Sequence, residues 1–197
     1  MAEPEAAPLR DEPVGPEILA SDLVYSGRVW DVRSDTVRYR DGEIVRQYVD
    51  HPGAAAVVAL DERERVLLIQ QYRHPIRHRD WEIPAGLLDV EGEDPLEAAQ
   101  RELAEEADLE ASSWEPLVSI YTTPGGNDEI VHLFLARGLR ALAAYARDDE
   151  EADIRMQWVP LPAAITAVLD GRMRNGILAV GVMAVAERLR RGGAREG

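Results

Sequence analysis

Apolar residues in this chain fall first into short runs and only later at helical spacing. Met1 to Pro16 is rich in Pro, Glu and Ala with neither period, and predicts a disordered lead-in that we extend to residue 20. Leu23-Val24-Tyr25, Val29-Trp30-Asp31-Val32 and Ile44 to Val49 are β-rich runs around an Asp41-Gly42 turn, and predict a small antiparallel β subdomain over residues 21–50. Ala54 to Leu60 and Val66 to Gln71 are apolar runs separated by the charged stretch Asp61-Glu62-Arg63-Glu64. That pattern predicts a hairpin opening a central sheet.

A helix start follows: Asp94 can cap, Pro95 suits the first turn and Glu97 completes a capping box. Leu96, Ala99, Leu103 and Ala107 then share one apolar face. Further strands are predicted at Leu117 to Tyr121, Ile130 to Ala136 and Ile154 to Val159, with helices over about Pro162 to Leu169 and Asn175 to Arg190. The alternation predicts an α/β fold, a mixed sheet with helices on its faces, over residues 51–190, and a solvated tail over 191–197.

Composition removes several chemistries. Cysteine is absent and all 22 Lys+Arg residues are arginine, so a thiolate nucleophile, a disulfide, a Schiff-base lysine and a Walker lysine are excluded. The net charge of −15 opposes non-specific nucleic-acid binding, so a phosphate-bearing ligand needs a metal or local arginines. The longest apolar run, Gly176 to Ala186, is too short to span a bilayer, and the acidic N-terminus lacks signal-peptide layout. These features predict a soluble cytoplasmic protein that binds neither membrane nor nucleic acid.

Arg101-Glu102-Leu103-Ala104-Glu105-Glu106 places carboxylates at i, i+3 and i+4 on one helix flank. Like charges so placed repel, and a hard divalent cation converts the repulsion into ligation; magnesium suits oxygen donors and bridges to phosphate. A glutamate-rich helix alone can equally be a solvated face. The flanking residues argue for chemistry. Gly86, Glu93, the Arg101 to Glu106 helix and the apolar Leu109 together resemble the Nudix box, which implies a Nudix-type α/β/α sandwich and hydrolysis of a phosphate anhydride. The Gly86 to Glu93 interval is one residue longer than the family's, and Asp108 stands where the family has glycine. Loop residues 87–92 can absorb the first change, and Asp tolerates a left-handed helix end.

Gln71-Tyr72-Arg73-His74, Trp81 to Gly86, Thr123 to Glu129 and Glu150-Glu151-Ala152-Asp153 are similar to the ADP-ribose pyrophosphatase branch. The resemblance implies metal-dependent hydrolysis of ADP-ribose to AMP and ribose 5-phosphate. Another ADP-sugar, NADH, a dinucleoside polyphosphate, or binding without turnover are the alternatives. It implies Mg2+, with Mn2+ as a substitute, on the Ala85 carbonyl, Glu102 and Glu106, with Glu105 as a further ligand or supporting carboxylate. It implies a general base from Glu151 or Glu150, and a homodimer through the N-terminal strands. Substrate contacts carry over to Arg73, Arg46, Gln47, Trp30, Leu87, Gly125 and Glu129. Trp30 can instead be core, Arg73 a surface arginine, and Gly125 and Glu129 part of a plain turn. Glu93 and Arg101 read as an ion pair holding the Gly86 loop to the helix.

Overall fold

The computed structural model describes residues 9–143 and 153–193. In chain order these form β1 (Ile18–Ser26), β2 (Asp31–Tyr39), β3 (Gly42–Asp50), β4 (Ala54–Ala59), β5 (Arg65–Arg73), a 3-10 turn at His74–Ile76, β6 (His78–Glu82), β7 (Ala85–Leu87), α1 (Pro95–Ala107), β8 (Leu109–Tyr121), β9 (Ile130–Ala141), β10 (Arg155–Pro160), α2 (Leu161–Leu169) and α3 (Gly176–Gly193). The expected antiparallel subdomain is present as a β1-β2-β3 sheet. Its first strand begins at Ile18, inside the stretch assigned to the lead-in.

The core is organised by β4, whose residues are all buried. Ala55, Val57 and Ala59 face α1 and pack with Ala98, Ala99, Leu103 and Ala107. Ala54, Ala56 and Val58 face the other way, against Leu178, Val182 and Val185 of α3 and Ala164 of α2. A strand buried on both faces reads as a continuous apolar run, because neither parity meets water. The approach of α3 depends on Gly181, where a β-carbon would lie 2.9 Å from a Val58 methyl and 3.2 Å from Ile83.

The mixed sheet has order β7-β4-β9-β8, with β4 parallel to β9 and the other pairs antiparallel. A separate antiparallel sheet has order β10-β5-β6. The expected β4–β5 hairpin is therefore corrected. These strands meet only at their turn, through a Leu60–Val66 bridge and the Asp61 N–H to Arg65 carbonyl bond of 3.0 Å. β9 lies along the whole of one edge of β4 and β7 along Ala54–Ala56 of the other, while β5 pairs with β6 and β10.

Three strands that the hydrophobic pattern misses or truncates, β6, β7 and β8, are edges. β8 starts at Leu109 rather than Leu117, and its polar first half pairs only with β9. Pro116 sits beside its register shift, where an edge strand tolerates a missing N–H. β6, His78-Arg79-Asp80-Trp81-Glu82, is an edge as well.

Candidate active site

The start of α1 is fixed as its sequence dictates. The Asp94 side chain accepts from the Leu96 N–H at 2.9 Å, Glu97 returns a contact to the Asp94 N–H at 3.3 Å, and Pro95 occupies the first turn. At the other end Asp108 adopts φ 53°, and its N–H caps the carbonyls of Ala104 and Leu103. Asp thus does the work of the family's glycine at this position. The extra loop residue is absorbed before the helix, where Gly92 takes φ 80° and the Glu93 N–H bonds the Val90 carbonyl at 3.1 Å.

The phase of the β4–β7 ladder positions the backbone beneath this helix. Val57 donates to the Pro84 carbonyl at 2.8 Å and Leu88 to the Gly53 carbonyl at 3.1 Å, while Ala55 lies opposite Gly86. In an antiparallel ladder the intervening residues, Ala85 and Leu87, turn both backbone polar groups away from the partner strand. They turn toward α1: the Ala85 N–H donates to Glu106 Oε2 at 2.9 Å, and the Leu87 carbonyl faces Arg101 Nη2 at 3.5 Å. The Ala85 carbonyl shares that edge.

Gly86 makes room for the carboxylates. A β-carbon there would fall 1.9 Å from Glu102 Cδ and 2.0 Å from its Oε1. Glu102 and Glu106 are buried, which is costly for carboxylates without compensating charge. Arg101 supplies part of it: Nε and Nη2 each donate to Glu93 at 3.1 Å, and Nη1 contacts Glu102 and, at 3.2 Å, Glu105. Hydrogen bonding to Glu93 comes first in holding the Arg101 guanidinium protonated. The same bond keeps the Glu93 carboxyl below its ordinary range. The expected Glu93–Arg101 ion pair is present.

Among the described residues no group of three Asp, Glu or His side chains converges as a ready metal cage. Glu102 and Glu105 turn to Arg101, and Glu106 to the Ala85 N–H. The donor set nevertheless fits a hard divalent cation. The candidate donors are all oxygens, a glycine cradle holds Glu102, and Glu93 would retain Arg101 if the helix carboxylates turned to a metal.

Arg73 is placed by a partner that the sequence analysis did not single out. Its Nε and Nη2 each donate to Glu82 at 2.7 Å, and Gln71 Nε2 adds a 3.3 Å contact to the same carboxylate. Glu82 lies within the Trp81 to Gly86 segment of the resemblance, and the signal it carries of its own is a lone carboxylate between Trp81 and the apolar Ile83-Pro84. Leu67 of β5 packs with Leu103 of α1, so strand alternation carries Gln71 and Arg73 to the α1 side of the sheet.

The remaining expected contacts lie on the N-terminal sheet and in the connection between β8 and β9. Trp30, in the turn between β1 and β2, is 43% exposed and so is not core, and Arg46 and Gln47 are exposed on β3. The Glu129 carboxylate is engaged by the Thr122 hydroxyl and lies 3.7 Å from His51 Nε2, tying its loop to the chain after β3. Gly125 sits in a turn closed by Gly126 and Asn127 N–H bonds to the Thr123 carbonyl at 2.9 and 3.0 Å, with open space where a β-carbon would point. Glu150 and Glu151 lie outside the described residues. Asp153, just after them, pairs with Arg79 of β6.

Among the described residues no helix is long and apolar enough to cross a membrane. The NUDIX domain model matches residues 50–178. An ADP-ribose pyrophosphatase of Mycobacterium tuberculosis is 45% identical over 170 residues, covering 86% of this chain and 82% of that protein. A methanol dehydrogenase activator of Bacillus methanolicus is 35% identical, covering 87% and 94%. The fold is shared with a solved ADP compounds hydrolase at a TM-score of 0.76, 22% identity, and 93% and 99% coverage. With the glycine-cradled glutamate helix lying inside the matched segment, the chain belongs to the Nudix family.

Proposed function

We propose that this chain hydrolyses the pyrophosphate bond of ADP-ribose to AMP and ribose 5-phosphate. The observation that carries the reading is the convergence on one spot of the Ala85 backbone edge, the Gly86 cradle and the α1 carboxylates. The 45% identity to an ADP-ribose pyrophosphatase supports the substrate.

The Ala85 carbonyl, Glu102 and Glu106 would hold a divalent cation, Mg2+ or Mn2+, with Glu105 beside them. When bound, it neutralises the diphosphate and acidifies a coordinated water. Arg73 offers guanidinium donors to a phosphate oxygen. Glu151, or Glu150 if the register is shifted by one, takes the proton of the attacking water as that oxygen bonds phosphorus and the bridging P–O bond breaks. Arg46 and Gln47 lie on the N-terminal sheet and Trp30 in its β1–β2 turn, beside strands whose Leu23, Val24, Tyr25 and Val45 are more than half exposed. That apolar surface favours a homodimer in which these residues reach the nucleotide of the partner's site. The enzyme would act in the cytoplasm on a small nucleotide, and the charge of −15 disfavours a nucleic-acid partner.

The test is a panel of nucleoside diphosphate derivatives assayed with magnesium and with manganese, with products identified. ADP-ribose is expected as the preferred substrate, yielding AMP and ribose 5-phosphate. Preferential cleavage of NADH, a dinucleoside polyphosphate or another ADP-sugar would overturn the assignment.

A further inference from the structure

We propose that Glu82 is a positioning residue that fixes which edge of the Arg73 guanidinium meets the substrate diphosphate. The inference rests on the reading of Arg73 as the phosphate contact.

A guanidinium has five N–H donors in one plane. Glu82 takes the edge formed by Nε and Nη2, each at 2.7 Å. That leaves the outer edge, where Nη1 and the second Nη2 hydrogen project in parallel, as a fork of the kind that binds a phosphate bidentately. Among the described residues the Arg73 guanidinium makes no hydrogen bond to any other side chain, and it is 44% exposed against 7% for Glu82. The carboxylate is thus the buried anchor and the guanidinium the accessible tip.

The environment of Glu82 makes this anchor stiff. Gln71 braces Oε2 from the adjoining strand, and Ile83, the next residue, is 1% exposed. Glu82, Gln71 and Arg73 belong to the paired strands β5 and β6, whose register sets Ile69 opposite Glu82 and Arg73 opposite His78. The guanidinium is therefore held from secondary structure, as a side chain that must meet a ligand at fixed geometry requires. Strand alternation places Arg73 on the α1 side of its sheet, and the Glu106 carboxylate of α1 is among the charges that favour the protonated guanidinium. A surface ion pair contributes little to stability, whereas a buried carboxylate that dictates a rotamer contributes orientation.

The experiment compares the wild-type chain with Glu82→Gln, Arg73→Ala, the double variant and Arg73→Lys, using ADP-ribose and magnesium, with unfolding curves for each. Glu82→Gln should lower kcat/KM by about 10–100-fold, the scale of a misplaced positioning group, without a matching loss of folded protein. The double variant should be no worse than Arg73→Ala, because Glu82 acts only through Arg73. Arg73→Lys keeps Glu82 paired with a cation but has no planar fork, so it should lose at least about tenfold and supplies a folded variant even if Glu82→Gln is unstable. Wild-type kinetics in Glu82→Gln or Arg73→Lys, or additive losses in the double variant, would overturn the proposal. If the wild-type chain cleaves a different diphosphate derivative, the ADP-ribose reading fails, and the same comparison on that compound decides the role of Glu82.

Discussion

A β-carbon on Gly86 would lie 1.9 Å from the carboxyl carbon of Glu102, so the glycine of the loop and the glutamate of the helix occupy one space between them. No rotamer change confined to residue 86 relieves such an overlap, since the β-carbon is fixed by the backbone. Gly86→Ala must push Glu102 or β7 aside. Activity should fall by about 10²-fold, the scale of a displacement near an ångström at a reacting centre, with a cooperative unfolding transition retained. Near wild-type kcat/KM in this variant would show that Glu102 need not lie where it does.

Glu102→Gln and Glu106→Gln remove charge but keep shape. Each should lower kcat by about 10³-fold or more, because a metal site contributes several kcal/mol at the transition state and each 1.36 kcal/mol is tenfold. Both proteins should keep their far-UV spectrum. Wild-type turnover of both at saturating magnesium would remove the metal assignment.

Glu151→Gln should depress kcat by roughly 10²–10⁴-fold, the ordinary contribution of a positioned general base, while ADP-ribose and magnesium still bind. An effect confined to Glu150→Gln moves the assignment by one residue. Two variants within a few-fold of wild type would place the base outside this pair of residues.

Glu93 contributes to stability in a pH-dependent way. Arg101 holds its carboxyl below the ordinary glutamate value of about 4.3, so the native state binds this proton less readily than the unfolded chain. The contribution is complete above the ordinary value and disappears as pH falls through the lowered one. Glu93→Gln should therefore unfold at a lower temperature than wild type at neutral pH, with the gap closing in acid. A gap that is constant from pH 7 to pH 3 would contradict the ion-pair account.

The exposed apolar residues of the β1-β2-β3 sheet are the basis for expecting a dimer in solution. Light scattering should give twice the chain mass, and Trp30→Ala should raise KM for ADP-ribose more than it lowers kcat. A monomer that is fully active at nanomolar concentration would count against shared sites.

The parts of this protein legible from sequence are those whose cause is local. The Asp94 cap, Pro95 and Glu97 start α1 because each satisfies backbone groups within one turn, and Asp108 ends it by adopting a conformation its own side chain tolerates. The flank shared by Glu102, Glu105 and Glu106 follows from helical spacing alone, and the all-buried β4 from an unbroken apolar run. Tertiary structure decided what spacing along the chain does not encode. Whether β4 and β5 form a hairpin depended on strands distant in sequence, since β4 pairs with β7 and β9 and β5 with β6 and β10, and the edge strands β6 and β7 carry too little apolar pattern to be seen. The orientation of Ala85 toward α1 comes from the phase of a ladder with residues far away in sequence. Glu82 became a partner of Arg73 only when strand pairing brought two separated charges together and packing removed the water from one of them.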